Sequence, residues 1–98
     1  MTEIIISEKA ERDLSGIIGH ISLDNRARAE TFVEELLDKS IDVLSVFPLS
    51  SPIQNKELNV RRFVYRKYNI YYRYDETSNI VTILHVLHSA LAANKKVI

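Results

Sequence analysis

The sequence predicts an α+β fold with the element order β-α-α-β-β-β, in which an antiparallel sheet carries a helical hairpin on one face. Apolar residues recur at helical spacing until Pro48, and the second half holds three segments in which apolar and polar residues alternate. The 98 residues contain no repeat and no linker, so one domain over residues 1–98 is expected, long enough to bury a core.

The first half predicts a strand followed by two helices. The β-branched segment Thr2–Ile6 predicts the strand, and the Ser7 hydroxyl can cap a helix that runs to the turn at residues 23–25. A second helix is predicted from about Arg26 to Phe47 and stops at Pro48. These helices are expected to pack as an antiparallel hairpin with an acidic outer face.

The only two glycines, Gly16 and Gly19, fall inside the first predicted helix. A glycine inside a helix costs about 1 kcal/mol relative to alanine. Close approach of the second helix is the expected compensation.

Three strands are predicted after an irregular loop over residues 48–57. They span about Leu58–Arg66, Tyr68–Tyr74 and Ile80–His88, with a tight connection at residues 66–67 and a longer turn at residues 75–79. The tail Ser89–Ile98 can form a short C-terminal helix through its alanines and Leu91.

The composition excludes several classes of protein. Without cysteine there is no disulfide framework and no thiolate metal site, which fits a reducing compartment. No apolar run approaches the ~20 residues of a membrane span, and the N-terminal segment is too acidic for a signal peptide. We therefore expect a soluble, cytoplasmic protein that makes no membrane contact.

The zero net charge conceals a split between the two halves. Residues 1–55 carry five basic and ten acidic groups, whereas residues 56–98 carry eight basic and three acidic groups. All five tyrosines lie in residues 61–74, RRFVYRKYNIYYRY, together with five basic residues. Cations interleaved with rings favour a surface for an anionic partner, although a half-buried hairpin would show the same pattern.

The histidines offer limited chemistry. His85 and His88 are three apart and so face opposite sides of an ideal strand, which argues against a shared metal; no metal or cofactor is expected. His88 ends the last predicted strand and could serve as a general acid or base, or have a structural role.

Taken together, residues 4–92 resemble the RelE/ParE superfamily of bacterial type II toxins. The resemblance rests on the order and spacing of five pieces: IIISEKAERDLSGIIGHI, the A-x-x-F-V-x-x-L pattern from Ala29 with its stop at Pro48, VRRFVY, YNIYYRYD and ILHVLHSA. It implies the fold predicted above.

The resemblance implies one of two activities. Members similar to RelE cleave messenger RNA on the ribosome without a metal, using basic groups and an acid–base residue. Carried over to this chain, Arg62 and His88 are the catalytic candidates if it is a ribonuclease. The basic residue that commonly follows the last strand is absent, because Ser89, Ala90 and Leu91 follow His88. This departure counts against cleavage.

Members similar to ParE bind DNA gyrase and block it, and YNIYYRYD followed by VLH looks more like these relatives. The chain is therefore interpreted as a ParE-like gyrase inhibitor that acts by protein–protein contact. The alternatives are a ribosome-dependent endoribonuclease and a non-toxic regulator that only binds its antitoxin.

Every alternative implies a cognate antitoxin with an acidic and apolar segment, through which alone operator DNA is contacted. That segment is expected on the sheet face and in the groove beside the helical hairpin. A homodimer is left open. The candidate partner-binding residues are Arg61, Arg62, Arg66, Arg73, Tyr65 and Tyr72.

Overall fold

Two helices pack on one face of a five-stranded sheet in the computed structural model, which describes residues 2–92. The elements are β1 (Glu3–Ile6), α1 (Glu8–Ser22), α2 (Arg26–Val46), β2 (Ile53–Asn55), β3 (Val60–Tyr65), β4 (Tyr68–Asp75), β5 (Ile80–His88) and α3 (Ser89–Ala92). The predicted α+β class and helical hairpin are confirmed. The predicted tail helix is present as α3, and its remainder lies outside the described residues.

Local side-chain chemistry sets the helix starts. The Ser7 hydroxyl accepts a hydrogen bond from the Ala10 N–H at 3.1 Å, and the Asn25 side-chain oxygen accepts one from the Arg28 N–H at 3.0 Å. Each bond satisfies a backbone donor that has no partner within its helix. The second helix ends at Val46, one residue before its predicted end.

The sheet differs from the predicted antiparallel meander at both edges. The strand order is β1-β5-β4-β3-β2, and β1 pairs with β5 in parallel, whereas the other pairs are antiparallel. The additional strand β2 lies in the segment predicted as a loop. It is three residues long with a register shift against β3, too short to show alternation in the sequence.

The core lies between the helices and one face of the sheet. Tyr72, Ile70 and Ile83 are fully buried there beneath Leu36 and Leu44. Burying such side chains is the main stabilising contribution to the fold. Within residues 2–92, no helix combines the length and the apolar character that a membrane span needs.

The expected reason for the two glycines is wrong. A Cβ atom built on Gly16 or Gly19 would meet nothing within 4 Å, so the second helix does not approach either of them closely. Both positions are exposed on α1.

Candidate functional site

The strand register distributes the six predicted partner-binding residues over both faces of the sheet. Directly paired residues share a face, and successive residues alternate. Arg61 pairs with Tyr72, and Tyr65 also points to the helices, so these three lie on the helix-covered face. Arg62 pairs with Tyr71 and Arg73 with Val60 on the other face, here called the outer face. Arg66 lies in the turn between β3 and β4.

Three of the six residues donate hydrogen bonds to the protein's own backbone, and two of them, Tyr72 and Arg61, bind the loop that follows α2. Tyr72 is fully buried, and its hydroxyl donates to the Pro48 carbonyl at 2.8 Å. The Arg61 guanidinium donates to the carbonyls of Ser51 at 2.7 Å and Leu49 at 3.2 Å. In this conformation Tyr72 offers no surface to a partner, and its position indicates a structural role.

The outer-face arginines are less fully engaged. The Nε of Arg73 donates to the Leu58 carbonyl at 3.0 Å. The Nε of Arg62 is buried and has no hydrogen-bond partner among residues 2–92. A buried, charged donor without an acceptor is costly, so an acceptor from a partner would stabilise Arg62.

Tyr65 and Arg66 belong to an aromatic cluster at one end of the molecule. The Tyr65 ring lies 6.0 Å from the Phe32 ring and 5.6 Å from the Arg66 guanidinium. Hydrogen bonding to Tyr65 raises the pKa of Arg66, which is fully exposed. With φ of 53°, Arg66 adopts a conformation that glycine or asparagine favours.

The structure separates the two catalytic candidates. His88 pairs with Tyr68 on the helix-covered face, whereas Arg62 pairs with Tyr71, three residues further along β4, on the outer face. The His88 ring packs edge-on against Tyr68 at 5.2 Å, and its Nδ1 accepts from the Ala90 N–H at 3.1 Å. Burial raises the pKa of Tyr68. Arg62 and His88 therefore form no joint site.

A different histidine shares a row with Arg62. β5 contains a bulge that leaves Leu84 unpaired, so that His85 pairs with Tyr71 and lies in register with Arg62 across three strands. His85 Nδ1 donates to an Asp13 carboxylate oxygen at 3.0 Å, and the same oxygen accepts from the Val86 N–H at 3.0 Å. Asp13 thus occupies the edge of β5 beyond the end of β1.

Sequence reasoning missed this Asp13–His85 pair. Asp13 is three residues after Ala10 and four before Ile17, so it lies beside the apolar stripe of α1. An acidic residue beside an apolar stripe was the feature of the sequence that could have indicated a buried or paired carboxylate. Within the described part of the chain, no group of three His, Cys, Asp or Glu residues is placed to hold a metal ion.

A groove of about 530 Å³ runs between one flank of α1 and the ends of β4 and β5. We call it the α1–β5 groove. Its lining is mostly apolar and contains Gly16, Ile17, Tyr68, Val86, Leu87 and His88, with Arg12, Asp13 and His20 beside them. Gly16, which has no side chain, forms part of its lining. The α1–β5 groove is the predicted groove beside the helical hairpin.

A second surface lies at the other end of β4, where α2 ends. Residues 46–58, which we call the 46–58 platform, include five exposed large apolar side chains: Val46, Phe47, Leu49, Ile53 and Leu58. Phe47 is 63% exposed and Leu49 is 50% exposed. Sequence reasoning treated residues 48–57 of this segment as an irregular loop, and it placed Val46 and Phe47 in the second helix and Leu58 in a strand.

Comparison with known proteins identifies relatives of the fold and the sequence. The family model described as "ParE toxin of type II toxin-antitoxin system, parDE" matches residues 4–91. No curated protein matches the sequence.

Solved structures from three bacteria have similar folds. The chromosomal ParDE system of P. aeruginosa matches with a TM-score of 0.74 and 18% identity, over 90% of this chain and 96% of that one. The RelBE2 toxin–antitoxin complex of Mycobacterium tuberculosis matches with a TM-score of 0.68 and 22% identity, over 89% and 96%. The RelBE complex of E. coli gives 0.61 and 13%, over 88% and 94%.

Proposed function

The chain belongs to the ParE toxin family of type II toxin–antitoxin systems, and from this premise we propose that it inhibits DNA gyrase by protein–protein contact and is neutralised by a cognate antitoxin. Inhibition by contact requires a shaped surface and no reacting group. The structures it resembles include toxin–antitoxin complexes, which supports an antitoxin partner.

Arg62 and His88 are separated in the structure, and this separation favours inhibition by protein–protein contact over cleavage of RNA. Cutting RNA without a metal needs a positive group and an acid–base group within reach of one phosphate. These two side chains lie on opposite faces of the sheet, so the residues carried over from ribonuclease relatives cannot act on one phosphate.

The α1–β5 groove is the proposed site for an apolar segment of the antitoxin. It is concave and mostly apolar, and Arg12, His20 and His88 lie at it as basic side chains. The one acidic side chain there, Asp13, is already bound by His85 and by the Val86 N–H. An amphipathic helix or an extended segment with acidic residues beside its apolar anchors would complement these features.

Purified protein tests this function in two parallel assays. We expect inhibition of DNA supercoiling by purified gyrase, reversed by the antitoxin encoded beside the toxin, and no cleavage of messenger RNA on translating ribosomes. Cleaved messenger together with unaffected supercoiling would contradict the proposal. A protein inactive in both assays that still binds the antitoxin would be the non-toxic regulator.

Arg62, Tyr71 and His85 lie in register across three strands, and this row of residues favours RNA cleavage as a second candidate function. Because Asp13 accepts from His85 Nδ1, the ring's Nε2 is left to act as a base, and Arg62 lies in register two strands away to stabilise an anionic phosphate. Tyr71, between them, is 2% exposed. If the protein cuts messenger RNA, His85→Gln and Arg62→Gln should each abolish cleavage, whereas His88→Gln should leave it intact. Equal loss from all three variants would argue against the row.

A further inference from the structure

We propose that Asp13 is an internal competitor for the antitoxin. In the free toxin its carboxylate fills a donor site near the end of β5, and in the complex a carboxylate of the antitoxin takes its place. This inference rests on the proposed function, because it requires an acidic segment of the antitoxin to enter the α1–β5 groove. It does not require that gyrase is the target, and antitoxin binding alone tests it.

The last part of β5 extends beyond its neighbouring strand on the side of α1. β1 pairs with β5 as far as Ile83, and the Ser7 N–H, just after β1, donates to the Ile83 carbonyl at 3.0 Å. Beyond that point β5 continues to His88. Backbone groups on this side of residues 84–88 therefore need partners other than a strand.

Side chains of the first helix and its cap supply two of these partners. The Ser7 hydroxyl donates to the Leu84 carbonyl at 3.1 Å, and one carboxylate oxygen of Asp13 accepts from the Val86 N–H at 3.0 Å. The same oxygen accepts from His85 Nδ1 at 3.0 Å. Two donors thus converge on one oxygen atom, which is an arrangement that binds a carboxylate.

The Asp13 carboxylate can leave these donors without disrupting the sheet. It reaches β5 from α1 through one short side chain, whereas β1 is held to β5 along a strand pairing. The side chains of Asp13 and His85 are each 21% exposed, so a partner in the groove can reach the pair. Rotation of the Asp13 side chain to another rotamer would free both donors.

Asp13 also supplies a negative charge to the groove. It is the one acidic side chain among the described residues that line it, beside Arg12, His20 and His88. Arg12 pairs with Glu8, but both side chains are largely exposed, so this pair contributes little. While Asp13 stays in place, it repels an acidic segment and occupies the donors that this segment would use, and both effects lower the affinity for the antitoxin.

A purely structural role for Asp13 leads to the opposite expectation. If its carboxylate only fastened α1 to β5, removing it would loosen one wall of the groove and weaken antitoxin binding. If the carboxylate competes with the antitoxin, removing it frees the Val86 N–H and His85 Nδ1 and strengthens binding. The sign of the change in affinity therefore separates the two roles.

Calorimetry with the antitoxin encoded beside the toxin measures this change. Asp13→Ala should tighten binding about tenfold, roughly the value of one hydrogen bond to a charged group. Asp13→Asn keeps a neutral acceptor and should give a smaller gain, about threefold. Asp42→Ala is the matched control, because it removes the same charge from an exposed position of α2 outside the groove lining, and it should leave the affinity unchanged.

Amide hydrogen exchange at Val86 shows whether the antitoxin takes the site. In free Asp13→Ala protein the Val86 amide should exchange about tenfold faster than in the wild type, because it has lost its acceptor, and the antitoxin should slow it again. If Asp13→Ala does not fold, Asp13→Asn carries the affinity test.

Three results would overturn the proposal and leave inhibition of gyrase untouched. They are unchanged or weaker antitoxin binding by the Asp13 variants, an equal gain from Asp42→Ala, and a Val86 amide that still exchanges fast in the complex of Asp13→Ala. A wild-type toxin that does not bind the antitoxin would overturn the proposal together with neutralisation by the antitoxin.

Discussion

The α1–β5 groove and the 46–58 platform lie about 20 Å apart along β4, and the chain forms them by opposite means. The groove lies where α1 carries Gly16, which has no side chain, and where β5 continues beyond the end of β1. The platform exists because Arg61 and Tyr72 reach out of the sheet and hold a loop from which apolar side chains project. Substitutions that add atoms should therefore alter the α1–β5 groove. Substitutions that remove the contacts of Arg61 or Tyr72 should alter the 46–58 platform.

Tyr72→Ala should be the most damaging change to the platform. It deletes a fully buried ring and the hydrogen bond to the Pro48 carbonyl, and is expected to lower the free energy of unfolding by about 3–5 kcal/mol. Urea unfolding measures the loss. Tyr72→Phe, which removes the hydroxyl alone, should cost about 1 kcal/mol. If the two variants were equally unstable, the ring would contribute nothing beyond its hydroxyl.

Substitutions of the adjacent residues Arg61 and Arg62 should change the free energy of unfolding differently when measured by urea unfolding. Arg61→Gln removes two charge-assisted bonds to loop carbonyls and is expected to cost about 1–2 kcal/mol of unfolding free energy, less than for a buried group because Arg61 is partly exposed. Arg62→Gln should leave it unchanged or raise it, because the buried Nε of Arg62 has no partner within residues 2–92 and such a donor is costly. A loss at Arg62 would mean that its side chain supports the fold.

Replacing either glycine of α1 with alanine should stabilise the protein. Gly16→Ala and Gly19→Ala are each expected to raise the free energy of unfolding by about 1 kcal/mol, because the added Cβ meets nothing and the helix becomes easier to form. Thermal unfolding measures this gain.

The same two glycines test the groove as a binding site. Gly16 lines the groove, whereas Gly19 does not, so Gly16→Leu should weaken antitoxin binding more than Gly19→Leu. Equal affinities would place the antitoxin elsewhere.

The helices and β5 could be predicted because their signals are local. Ser7 and Asn25 cap the helices from within a few residues, and the predicted bounds of α1 and β5 agree with the structure. The parallel pairing of β1 with β5 joins segments that are 77 residues apart in the register, and no local pattern specifies it.

The candidate site depends on which face of the sheet each side chain occupies, and the sequence alone could not assign the side chains to faces. Tyr71 and Tyr72 are adjacent and both buried, yet one lies on each face. The bulge in β5 then shifts His85 into register with Tyr71 and Arg62. A single unpaired residue, Leu84, therefore determines which histidine shares a row with Arg62, and alternation alone could not locate it.

The smallest expected effect is at Arg62, which lies on the outer face and pairs with Tyr71, away from both ends of β4. Arg62→Glu should weaken antitoxin capture at low salt by about 1 kcal/mol or less and have a smaller effect at high salt, because dissolved ions screen the attraction between separated charges. Binding of the purified antitoxin, measured by calorimetry over a salt series, would show the difference, with Arg62→Gln as the uncharged control. If the loss did not vary with salt, Arg62 would act through packing, and the acidic segment of the antitoxin would lie over other cations.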